Sequence, residues 1–155
     1  MFIIKSTPSD NQKLMKKLDK EIKNKVFGSF FGLIVGDALG ASVESRERGS
    51  FKEIKDMSTG GPYNLEAGYW TDDSSMALCL AESLIEKGYD AHHQMQKYLQ
   101  WYKKGYLSST GECFGVGSNT ASSLEYYDEN NQFPPVSERA AGNGSLMRLA
   151  PAAIY

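Results

Sequence analysis

The chain has 155 residues, 41% hydrophobic and 12% aromatic, which is enough for one domain around a single core and excludes a disordered chain. Its 17 basic and 19 acidic residues leave a net charge of −2, so no overall field recruits nucleic acid or an anionic membrane, and an anionic ligand needs a local site. Cys79 and Cys113 are too few for a disulfide framework and lack the spacing of a zinc site, which points to a reducing, cytoplasmic compartment; the opening apolar tetrad is too short for an export signal.

Residues 1–12 read as a loose leader, and from Lys13 the spacing of Leu14, Leu18 and Ile22 predicts a basic amphipathic helix, so that 1–24 stands apart from the rest of the chain. Between Val26 and Glu44, Gly28, Gly32, Gly36 and Gly40 recur every four residues. On a helix they form one stripe without side chains, open to close approach, and predict a central helix packed on several sides. The stretch to Val43 carries one charge, Asp37, so a membrane-spanning helix is the competing reading, opposed by the cost of an ionised Asp in hydrocarbon. Asp37 and Glu44 fall near the C-terminal end of this helix, against its dipole, which calls for a positive partner from elsewhere.

Residues 45–69, with Gly60, Gly61 and Pro62, predict a long surface connection. The next run places Met76, Leu80 and Leu84 beside Ala77, Ala81 and Ile85 on one helical face that ends at Gly88. A further helix is expected from Ala91 to Lys104, with Met95, Tyr98, Leu99 and Tyr102 on its apolar side. His92 and His93 point to different faces of it and are expected to be surface residues without a role. The turn GECFGVGSN, 111–119, precedes a helix expected from Thr120, and Gly115 and Gly117 would let backbone N–H groups approach an anion there. After a loop at 129–138, Gly142 and Gly144 flank Asn143 ahead of an apolar helical run interrupted by Pro151. The sum is an all-α protein of five or six helices, with no alternation that predicts a sheet.

WTDDSS, residues 70–75, admits two readings. Thr71 is a good N-cap, and Asp72 and Asp73 in a first helical turn suit the dipole. One cap suffices, however, and adjacent carboxylates repel unless a cation lies beside them; a hard divalent ion such as Mg²⁺ takes such oxygen ligands.

Four segments in this order, GSFFGLIVGDALGASVE, GYWTDDSSMALCLAESL, CFGVGSNT and GNGSLMRLAP, resemble the ADP-ribosylglycohydrolase family from about Lys25 to Ala153. The resemblance implies a compact all-α multi-helix domain of which 25–155 is the N-terminal portion, so that the chain reads as truncated. It implies a centre of two Mg²⁺ ions, or Mn²⁺, and hydrolysis of the glycosidic bond that joins ADP-ribose to a protein side chain or small acceptor. By motif, Glu44, Thr71, Asp72 and Asp73 match metal-binding positions, with Glu44, Asp72 and Asp73 at the chemistry. Gly115, Val116 and Gly117 match the loop that receives diphosphate and ribose, Gly142, Asn143 and Gly144 match the wall of the ADP-ribose cleft, and Asp37 matches as structural support. The family's second Asp-rich metal motif has no counterpart in the sequence, which keeps a second expectation open: a relative that binds ADP-ribose without turnover. The implied partner is an ADP-ribosylated protein or an ADP-ribose-containing small molecule, with neither nucleic acid nor membrane.

Overall fold

The structure, a computed structural model, describes residues 20–138 and 140–155. The leader and the Leu14 and Leu18 positions lie outside the described residues. Among the described residues six α-helices occur in chain order: α1 (Lys20–Gly40), α2 (Asp72–Lys87), α3 (Ala91–Lys104), α4 (Ser118–Asn130), α5 (Gly144–Met147) and α6 (Ala150–Ile154). A 3-10 turn, Ala41–Val43, continues α1, and the one extended pairing among the described residues is the isolated bridge between Gly60 and Leu65. The all-α expectation therefore holds, and α4 begins two residues ahead of the Thr120 read from the sequence.

The apolar face of α2 is the reason for the arrangement. Met76, Cys79, Leu80 and Leu84 recur on it at helical spacing and meet Tyr98 and Trp101 of α3 and Leu124 of α4 in one buried cluster. Helix α2 packs against α3, α6 and α1, and α3 packs in turn against α4. Local chemistry sets the joints. Gly88 ends α2 at φ +67, with its N–H bonded to the Leu84 carbonyl at 2.9 Å. Asp90 caps α3 by accepting from the His93 N–H at 3.0 Å, and left-handed Gly105 closes it.

The expected burial of α1 on several sides is not met among the described residues. Ala38 is its one buried residue, and Phe27, Phe31 and Val35 are 49%, 55% and 49% exposed. A Cβ added at Gly28, Gly32, Gly36 or Gly40 would meet no atom within 4 Å, so the glycine stripe faces open space. The physical reason is the set of neighbours: α2, α6 and the 3-10 turn pack on α1, and its remaining apolar surface has nothing to bury against among the described residues. By length and composition this helix could cross a membrane, with 11% of its apolar window buried.

The histidines lie on different faces, as expected, with His92 exposed and His93 half-buried, but each has a partner. His93 Nδ1 is 2.8 Å from Ser83 Oγ and its Nε2 is 3.2 Å from Glu86, which ties α3 to α2. His92 Nδ1 is 2.8 Å from the Tyr127 hydroxyl, and its ring packs against Tyr127 and Phe133. The Ser83–His93–Glu86 series has the connectivity of a proton relay, but Ser83 is fully buried, so no substrate reaches its hydroxyl. Sequence spacing shows which face a histidine occupies but not which side chain crosses to meet it.

Candidate active site

The site begins where α1 ends. Asp37, one turn before that end, sends its carboxylate to the start of α2: Oδ2 accepts from the backbone N–H groups of Thr71 and Ser74, both at 3.0 Å, and from Ser74 Oγ at 2.6 Å, while Oδ1 accepts from Thr71 Oγ1 at 2.7 Å. The N–H of Ser74 is the group that an N-cap side chain ordinarily satisfies. Asp37 therefore caps α2 from another helix, and the expectation that Thr71 does so is corrected. Thr71 occupies the N-cap position, but its side chain makes no capping bond because its hydroxyl is engaged by Asp37. The positive partner that Asp37 called for is the N-terminal pole of α2.

With that end already capped, Asp72 and Asp73 are free of the role. Asp72 is buried and Asp73 half-buried. Burial pushes the Asp72 carboxyl up from 3.8 to about 7, with the Asp73 charge and then those of Glu44 and Asp37 adding to the rise against the pull of the backbone N–H. Burial also raises Asp73, with a further push from Asp37. Glu44 leaves the 3-10 turn in extended backbone, ahead of Ser45 at φ +61. Its carboxyl is raised by burial, lowered by the Tyr63 hydroxyl, and raised again by Asp73 and Asp37. The elements thus gather four mutually repelling carboxylates, and among the described residues none of Glu44, Asp72 and Asp73 has a Lys or Arg salt-bridge partner.

The donor set of carboxylates and a threonine suits a hard divalent cation by its chemistry. No three His, Cys, Asp or Glu side chains among the described residues are gathered closely enough to hold a metal ion by themselves. The fit is in donor type and charge, with fewer closely grouped ligands than a closed site needs. Neither cysteine competes as a thiolate: burial pushes Cys79 up to about 12 and Cys113 up to about 11.

The glycine turn leans on these carboxylates. Gly115 sits at φ +75, and a Cβ placed on it would lie 2.7 Å from Asp72 Oδ1, so only glycine lets this backbone pass the carboxylate without displacing it. Gly117 is the N-cap residue of α4 and supplies no side-chain cap, which leaves that helix's first N–H groups to other acceptors. The Gly142–Gly144 loop closes onto the same helix start. A Cβ on Gly142 would be 3.1 Å from Asn119 Nδ2, and one on Gly144 would be 2.8 Å from Thr120 Oγ1. The sequence-predicted residues therefore fall in two adjoining groups, with Glu44, Thr71, Asp72 and Asp73 on one side and Gly115, Gly117, Gly142 and Gly144 around the start of α4 on the other, while the Val116 side chain packs on the core.

Two aromatic residues escaped sequence reasoning. The Tyr63 hydroxyl is 3.4 Å from Glu44 Oε1, and its ring lies 5.0 Å from that of Phe114, the residue before Gly115. The available signal was an aromatic residue set directly after Gly60, Gly61 and Pro62, a turn that presents the next side chain outward. Beside Glu44 a hollow of about 400 Å³ opens at the surface, lined by Ser42, Glu44, Arg46, Thr59, Gly61 and Pro62.

Residues 18–155 match the ADP-ribosylglycohydrolase family. The chain is 40% identical over 140 residues to ADP-ribosylarginine hydrolase Tri1 of Serratia proteamaculans, an alignment covering 88% of this chain and 38% of that protein. It is 34% identical over 139 residues to the ADP-ribosyl-[dinitrogen reductase] glycohydrolase of Rhodospirillum rubrum, covering 86% of this chain and 45% of that one. Among solved structures, a chain described as an ADP-ribosylglycohydrolase-related protein complex superposes with a TM-score of 0.73 at 46% identity, covering 86% of this chain and 43% of its own. The chain thus spans less than half the length of each of these relatives.

Proposed function

The chain belongs to the ADP-ribosylglycohydrolase family, and from that premise we propose that its site serves hydrolysis of the glycosidic bond between ADP-ribose and a protein side chain or small acceptor. The observation that supports this reading is the close approach of Gly115 to Asp72, which sets the glycine turn directly beside the carboxylate cluster. Glu44, Thr71, Asp72 and Asp73 would hold Mg²⁺ or Mn²⁺. When bound, such an ion supplies a more acidic water and a clamp on ribose hydroxyls. The backbone N–H groups leading into α4 suit the diphosphate, and Gly142, Asn143 and Gly144 form the adjoining wall. Glu44, its carboxyl raised by burial and neighbouring charges, is suited to take a proton at a carboxylate oxygen as water attacks the oxocarbenium-like sugar. The names of the relatives make an ADP-ribosylated arginine the first linkage to test.

The test is chromatographic detection of free ADP-ribose from an arginine-ADP-ribosylated protein. Release is expected with Mg²⁺, is abolished by EDTA, and falls by at least about 100-fold in Asp72→Ala. No release at high enzyme and metal concentration from several ADP-ribosylated substrates would sink the hydrolase reading for this chain. A second reading, ADP-ribose binding without turnover, is favoured by the absence of three closely grouped ligands among the described residues. Calorimetry without heat from ADP-ribose, with or without Mg²⁺, would count decisively against it.

A further inference from the structure

The loop that carries Tyr63 forms a mount braced by its own backbone and by the chain leading to Glu44. Gly60 and Leu65 exchange two backbone hydrogen bonds of 2.9 Å each, and the Asn64 N–H closes the intervening turn on the Gly61 carbonyl at 3.2 Å. Leu65 is buried, which anchors one foot of the turn. The other foot is pressed against the residues leading to Glu44: a Cβ on Gly61, at φ +75, would lie 2.1 Å from the Ala41 carbonyl oxygen, and Ser58 Oγ donates to Ser42 Oγ at 3.0 Å. Tyr63 stands at the tip of this mount, its ring tilted 56° against Phe114 and its hydroxyl on Glu44.

We propose that Tyr63 is a positioning residue for Glu44: its phenol donates to the Glu44 carboxylate while its ring, seated on Phe114, locks that carboxylate in register with the glycine turn. The role rests on the reading of Glu44 given above. It arises from the geometry because Glu44 leaves the 3-10 turn on extended backbone and has no other side-chain hydrogen-bond partner among the described residues. A side chain with that freedom samples several rotamers unless a neighbour selects one, and Tyr63 selects one without bringing a charge. Tyr63 touches neither the scissile bond nor any cation in this scheme and acts through Glu44.

Tyr63→Phe keeps the ring and removes the donor, so it separates positioning from packing. Side-chain carboxyl ¹³C NMR on glutamate-labelled chain, with the Glu44 signal assigned by its loss in Glu44→Gln, reads the orientation without any turnover. The expected result is a single sharp Glu44 signal that shifts and broadens in Tyr63→Phe while the melting temperature stays unchanged. An identical Glu44 signal in both proteins overturns the proposal. Where the wild type releases ADP-ribose, Tyr63→Phe lowers kcat about threefold to tenfold with KM unchanged, the worth of one oriented hydrogen bond; an unchanged kcat also overturns it. A wild type that releases none speaks against the hydrolase reading alone, and the Glu44 signal still decides the role of Tyr63.

Discussion

At Asp37 a single carboxylate joins two helices and leaves the next two carboxylates available for other work. Its oxygens accept from two N–H groups and two hydroxyls at the start of α2, and Thr71 is itself buried. Asp37→Ala strands those donors and costs about 2–4 kcal/mol in urea unfolding, whereas Asp37→Asn, which keeps one acceptor, costs less. Asp72 carries the opposite sign. Its folded-state pKa is raised from 3.8 to about 7, so its favourable contribution is fully present below the unfolded value and is lost as pH rises through about 7. Without divalent cation, the melting temperature therefore falls from pH 4 to pH 8, and Asp72→Asn flattens that slope; an equal slope in both proteins refutes the assignment. The sequence made Asp37 and the aspartate pair visible as carboxylates needing partners. It could not show that one partner was the other segment's helix end, because that pairing spans two elements far apart in the chain.

Helix by helix, burial separates what holds the fold from what does not. Leu84 of α2 is 2% exposed, and Leu84→Ala opens a cavity costing about 2–5 kcal/mol. Phe31 of α1 is as apolar but 55% exposed, and Phe31→Ser changes stability by no more than about 0.5 kcal/mol in the same denaturation experiment. A large loss at Phe31 would mean that its face is covered in solution. Periodicity located both helices because it reports which side chains share a face. It misassigned the surroundings of α1 because a stripe of glycines states that a close approach is possible, not that a neighbour makes it. Between α2 and α3 a polar set adds to the apolar contact. Buried Lys97 reaches Glu82 at 2.9 Å and Glu86 at 3.1 Å, and the Tyr106 hydroxyl donates to Glu82 at 2.8 Å. Burial pushes the Glu82 carboxyl up, but the Lys97 and Tyr106 hydrogen bonds outweigh it and leave the pKa lowered. That contribution is present above the usual carboxylate range and is lost as pH falls through the lowered value.

Across the whole molecule, the chain brings segments from residues 37 to 144 into one place, and the most legible parts were those whose chemistry is local. Gly115 and Gly117 marked a turn, and Asp72 and Asp73 marked one carboxylate beyond the needs of a helix. Tyr63 was not legible, because its meaning depends on a bridge between Gly60 and Leu65 and on a glycine pressed against Ala41. The proposed function requires the carboxylate cluster and the glycine turn to bind ADP-ribose together. The direct measurement is calorimetric titration of ADP-ribose into the chain, once with Mg²⁺ and once with EDTA, in wild type and Asp72→Ala. The account predicts saturable binding at least about tenfold tighter with Mg²⁺, and loss of that difference in Asp72→Ala. Binding of equal strength with Mg²⁺ and EDTA in the wild type, or a Mg²⁺ effect that survives in Asp72→Ala, would contradict it.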